Sequence, residues 1–128
     1  MAETSFHRRK ADECNQAARL ALEHELWETA VVRAYYCLFH ALIMIMTRFN
    51  EPEPRRGWRH QTLRDRFENR FCRLNRHFNR RDGENLNTAL TARMAADYHD
   101  VTFEGKRTNR VVERASMLYA KALEVLDG

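Results

Sequence analysis

Val31-Val32-Arg33-Ala34-Tyr35-Tyr36-Cys37-Leu38-Phe39-His40-Ala41-Leu42-Ile43-Met44-Ile45-Met46 is the most apolar stretch of the chain, and its reading decides the fold. Neither it nor any other segment shows sustained period-two alternation with β-branched residues, so no sheet is expected. It reads as a helix spanning residues 29–49, apolar over most of its surface and therefore the most buried element. Its uninterrupted apolar run, Ala41 to Met46, is six residues, and even counted from Tyr35 it reaches only twelve, too short for a bilayer. Three polar side chains, Arg33, Tyr36 and His40, fall at i, i+3 and i+7 within one narrow arc bordered by Val32, Phe39, Ile43 and Met46.

Helical periodicity extends outward on both sides. A first helix opens at Thr4 or Ser5, each a good N-cap, and runs to about Glu25 with Phe6, Cys14, Ala17, Ala18, Ala21 and Leu22 facing the core. After the central helix, Asn50-Glu51-Pro52-Glu53-Pro54 cannot remain helical, which predicts a loop over residues 50–58. A third helix is expected over residues 59–79, where Leu63, Phe67, Phe71, Leu74 and Phe78 follow helical spacing. Arg80-Arg81-Asp82-Gly83 reads as a turn, followed by a fourth helix over residues 84–98. An ordered loop over 100–107 leads to a fifth helix, residues 109–126, with Thr108 as its cap. The chain is 128 residues with four Gly and two Pro, one domain's worth of helix-rich sequence. An all-α antiparallel bundle of four to five helices is the expected architecture.

The net charge of +4 averages two unlike regions. Residues 55–81 hold ten Arg against Asp65 and Glu68, and the remainder of the chain is net acidic. Arg outnumbers Lys 19 to 3, and the guanidinium fork binds phosphate at two points and stacks on bases. Arg59, Arg66, Arg70, Arg73 and Arg76 are thus candidates for contacting RNA or DNA; the other reading is a solvated arginine face. The Tyr and Phe residues of the second and third helices have core spacing, and Met44 and Met46 read as core or dimer interface. Cys14, Cys37 and Cys72 are odd in number and widely spaced, which fits reduced, buried thiols and neither a disulfide framework nor a metal pair. No His, Cys or carboxylate spacing resembles a metal site, and no cofactor is implied. Met1 to Lys10 has no apolar segment after it, so no secretory signal or membrane association is expected and a cytoplasmic address is.

On the fourth helix Leu86, Leu90, Arg93 and Asp97 share one arc, so an apolar stripe ends in an i, i+4 ion pair. If this helix neighbours the second, Arg33, Tyr36, His40, Arg93 and Asp97 converge on one polar pocket. The alternative is a satisfied core histidine beside a structural salt bridge.

The Arg33-Ala34-Tyr35-Tyr36-x-x-Phe39-His40-Ala41 helix resembles the HEPN domain, in particular its small stand-alone branch. Trp58-Arg59-His60 is similar to the Thr-His pair that opens that family's third helix, and Arg93-Met94-Ala95-Ala96-Asp97-Tyr98 to its R-x-x-A-D-Y. The resemblance implies a four- to five-helix bundle, commonly a homodimer, in toxin–antitoxin, defence or RNA-processing systems. Stand-alone members often act beside a separate minimal nucleotidyltransferase. Some bind nucleotides or partner proteins, with Arg33, Tyr36, His60 and Tyr98 the positions implicated here. Many others are metal-independent ribonucleases with an R-x(4–6)-H motif.

That spacing occurs five times here, at Arg19/His24, Arg33/His40, Arg55/His60, Arg70/His77 and Arg93/His99, so only position in the fold can choose among them. The family's motif lies late in the domain, which favours Arg93 and His99, with Met94 where the family carries Asn or Asp. The two residues lie about 240° apart on an ideal helix, so they converge only if the helix ends near Tyr98. In that reading His99 or His40 removes the 2′-OH proton and Arg93 stabilises the phosphorane oxygens. Asp97 holds Arg93, Tyr98 orients the phosphate, and the products carry 2′,3′-cyclic phosphate and 5′-OH ends. Three functions stay open: a nucleotide-binding or interaction module, that ribonuclease, and a non-catalytic nucleic-acid binder using the arginine-rich segment.

Overall fold

The computed structural model describes the backbone from Ala2 to Gly128 and side chains from Thr4 onward. Five helices follow in order: α1 (Ala2–Glu23), α2 (Trp27–Arg48), α3 (His60–Phe67), α4 (Arg80–Tyr98) and α5 (Gly105–Asp127). A π-helical turn, Glu68–Cys72, extends α3, and no strand occurs among the described residues.

The helix α2 is the axis of an antiparallel bundle, packed by α1, α5, α4 and α3. Its 22 residues are long and apolar enough to cross a membrane, but 67% of the apolar window is buried inside the protein, as suits a core helix. Against it α1 buries only small side chains, Ala11, Cys14, Ala18 and Ala21, which lets the two backbones approach closely. Phe67, Phe71 and Phe78 form one aromatic cluster, and with Leu63 they belong to the same core. Cys14, Cys37 and Cys72 are free and buried; burial raises the Cys37 and Cys72 thiols, the latter to about 12.

Three helical segments end in the same way. Glu25, Asn50 and Asn75 adopt left-handed backbone with φ of 58°, 58° and 51°. In each, the following N–H reaches five residues back: Leu26 to Ala21, Glu51 to Met46 and Arg76 to Phe71, at 2.8, 2.9 and 2.8 Å. These are Schellman ends. Asn tolerates that conformation more readily than Glu, which adopts it at a cost in strain, so Glu25→Gly is expected to stabilise the protein by about 1 kcal/mol, read as a raised urea midpoint. An unchanged midpoint would show that Glu25 is not strained.

Several expected boundaries are corrected. The third helix does not reach residue 79: the end at Asn75 breaks its spacing, Leu74 is exposed, and Phe78 enters the core from a turn. Residues 80–83 are not a turn but the start of α4. Asn79 caps it, accepting from the Asp82 N–H at 3.1 Å while its own N–H donates to Asp82 Oδ2 at 2.8 Å. This reciprocal box, with Lys121 paired to Asp82, outweighs the turn tendency of Asp-Gly. Thr108 is no cap: it is buried inside α5, whose N-cap is Glu104. The first residue of that helix is Gly105, where a Cβ would lie 3.0 Å from the Trp27 ring. Phe6 is not core either; it is exposed at the edge of α1, its ring against His7 and His40.

Candidate functional site

Because α2 and α4 are neighbours, the polar arc of one meets the polar end of the other. The Arg93 side chain projects from α4 to donate an Nη2 hydrogen bond to the Tyr36 hydroxyl at 3.1 Å. Its guanidinium lies 5.5 Å from the ring centres of both Tyr36 and Tyr98. Arg93 Nε is 3.0 Å from Asp97 Oδ2, yet its N–H does not point along that line, so the buried donor has charge compensation without a hydrogen bond. Arg93 is only 9% exposed. Burial works against its charge, but Tyr36, Asp97 and Tyr98 together hold its pKa above the ordinary value.

The start of α3 supplies the third wall. His60 packs against Tyr36 and Phe39 and shares a 2.7 Å hydrogen bond between its Nδ1 and the Tyr35 hydroxyl. Burial, reinforced by the positive Arg93, lowers its pKa. Burial also pushes the Tyr35 phenol upward, so that hydroxyl stays protonated.

On the far side of Tyr36 the α1 and α2 surfaces form an open cleft of about 640 Å³, lined by Lys10, Glu13, Arg33, Tyr36 and His40 among others. His40 is half-buried, with its Nδ1 2.9 Å from the His7 Nδ1. Burial first, then the charges of His7 and Lys10, lower its pKa to about 4. A ring neutral in the fold but protonatable near pH 6.5 when unfolded adds stability that is complete above pH 6.5 and lost as pH falls toward 4. His60 acts in the same direction. Because His40 is half exposed, its share is on the order of 1 kcal/mol. Melting temperatures at pH 7.5 and 5 are expected to differ less in His40→Gln than in the wild type; equal differences would contradict this.

The sequence-selected residues are thus partly brought together. Tyr36, His60, Arg93, Asp97 and Tyr98 form one cluster, while Arg33 and His40 lie in the adjoining cleft. The α4 helix stops at Tyr98, as convergence of Arg93 and His99 requires, but His99 is an exposed extended C-cap and the partners of the guanidinium are Tyr36, Asp97 and Tyr98. The arginine-rich segment is divided. Arg66, Arg70 and Arg76 all lie 3.5 Å from the carboxylate of Glu51, whose side chain is only 6% exposed. Arg73 donates to Asn69, and Arg59 is exposed.

Sequence reasoning did not single out Tyr35, His7, Lys10 or Glu51. Tyr35 carries a signal, since it neighbours Tyr36 on the same helix. The others enter through the register of α1 on α2 and the path of the 49–59 loop, neither of which has a local signature.

A five-helix bundle with a tyrosine–histidine–arginine cluster where its central and fourth helices meet defines a small helical module. The HEPN domain family model matches residues 4–126, and the chain belongs to that family, which supplies nucleotide-binding and ribonuclease-type modules to toxin and defence systems. Comparison with curated proteins finds no match.

Proposed function

We propose that this HEPN domain is a nucleotide-binding interaction module of a toxin–antitoxin or defence system and not a ribonuclease. The observation that carries the reading is the commitment of Arg93. A transition-state stabiliser has to present its donors to a phosphate, whereas this guanidinium is nine-tenths buried, bonded to Tyr36 and neutralised by Asp97.

The adjoining cleft suits a nucleotide instead. Lys10 and Arg33 offer cations for the phosphates, Tyr36 offers an aromatic edge, and Glu13 is the one acid in its lining. Arg33 is exposed and makes no ion pair among the described residues. Met94, Tyr98 and Val101 leave apolar surface at the end of α4, which supports pairing there with a second copy or a minimal nucleotidyltransferase.

Titration calorimetry with ATP, GTP and AMP tests the assignment. Binding is expected, and Arg33→Ala weakens it roughly tenfold by removing a charge-assisted contact, with an unchanged melting temperature. No heat with any nucleotide, or equal affinity in the variant, would overturn it.

A further inference from the structure

The geometry points to a second binding site, at the C-terminal end of α2 and apart from the Tyr36 cleft, that takes a single-stranded polynucleotide by stacking one base on His77 while arginines hold the flanking phosphates. Four observations meet there. His77 is exposed and its ring lies parallel to that of Phe49, centroids 4.7 Å apart and 29° between planes. Phe49 covers one face of the imidazole, and the exposure of His77 offers the rest of the ring to a base.

The backbone of His77 is left-handed, φ 64°, an uncommon conformation for a residue with a Cβ, though His is among the more tolerant. The residue that carries this backbone is the one whose ring stacks on Phe49. The Arg76 guanidinium sits 5.1 Å from the Phe49 ring centre and 4.9 Å from that of Phe71, and Arg48 lies 5.6 Å from Phe49 on the α2 side.

Charge is the fourth observation. Glu51 fixes Arg66, Arg70 and Arg76 but neutralises only one of them. With Arg48 added, four guanidiniums surround one carboxylate and an aromatic stack. A purely structural clasp around Glu51 needs one cation, and the surplus is positive, gathered at one carboxylate and partly exposed: the side chain of Arg70 is 58% accessible and that of Arg76 37%. Fixed cations beside an open π-face are what sequence-tolerant binding of single strands requires, whereas a duplex keeps its bases from the imidazole.

The 128-residue chain is titrated by fluorescence anisotropy against a labelled oligouridylate, an oligothymidylate, and an abasic strand of the same length and charge. Base-bearing strands are expected to bind roughly tenfold more tightly than the abasic strand, the scale of one stacked base. His77→Gly removes the ring while easing the backbone, so the protein stays folded and the advantage of base-bearing strands disappears; His77→Asn does the same. Arg48→Ala flattens the salt dependence by about one phosphate contact, and Arg110→Ala, an exposed arginine on α5, leaves affinity unchanged. The RNA and DNA arms tell which sugar is preferred. Equal binding of abasic and base-bearing strands by the wild type would overturn the proposal, as would undiminished stacking in both His77 variants or equal losses from Arg48→Ala and Arg110→Ala.

Discussion

Arg93→Ala is expected to lose about 3 kcal/mol of folding stability, against about half of that for Asp97→Asn. The asymmetry follows from burial. The Arg93 side chain is 11% exposed and that of Asp97 35% exposed. Removing the guanidinium leaves the Tyr36 hydroxyl without its donor, strips a cation from between two aromatic rings, and opens space between α2 and α4. Removing the Asp97 charge leaves the buried guanidinium without its counter-charge but costs less, because water reaches that carboxyl and Tyr36 still accepts from the arginine. Urea unfolding of both variants reads the difference. If Arg93→Ala unfolds like the wild type, the guanidinium is not a structural tie, and the argument that it is unavailable to a substrate loses its basis.

Glu51→Gln is expected to cost about 2 kcal/mol at low salt and visibly less at high salt. The carboxylate is nearly sealed from solvent and within 3.5 Å of three guanidiniums. The amide preserves shape and one acceptor oxygen but leaves three like charges facing one another. Because Arg70 and Arg76 are partly exposed, their repulsion is screened by ions, which is why added salt recovers part of the loss. The Arg66 hydrogen bond to the Pro52 carbonyl, 3.0 Å, still anchors the loop, so the fold persists. The same substitution removes one negative charge from the proposed strand-binding surface and should tighten binding there. Unchanged stability at low salt would mean that Glu51 does not organise the arginines.

These two residues also show what a sequence reveals and what it conceals. Arg93 and Asp97 were legible as a pair, since i, i+4 spacing on a helix places them together whatever surrounds them. That Tyr36 receives Arg93 followed from supposing α2 and α4 to be neighbours, as they are. Glu51 lies between helix-breaking signals and reads as loop; its burial depends on arginines 15, 19 and 25 positions later, beyond the reach of any local pattern. The apolar spacing from Leu63 to Phe78 suggested one long helix because Phe78 returns to the same core by another route. Asn75 marked the true end, but one Asn in an arginine-rich run is a faint signal. At Asn79 two local tendencies competed, a turn at Asp82-Gly83 and a box between Asn79 and Asp82, and the box prevailed with Lys121 behind it. The His7–His40 contact could not be anticipated, because a slip of one turn between α1 and α2 would have paired other residues.

The proposal at the centre of the account is chemical: with Arg93 committed to Tyr36 and Asp97, the protein would bind nucleotides without cutting RNA. The most direct test is incubation of the pure protein with end-labelled RNA in excess chelator, followed by analysis of the termini. The RNA is predicted to remain intact at protein concentrations that saturate nucleotide binding. Chelator-resistant cleavage leaving 2′,3′-cyclic phosphate ends, and abolished by Arg93→Lys in a protein that still folds, would contradict the account.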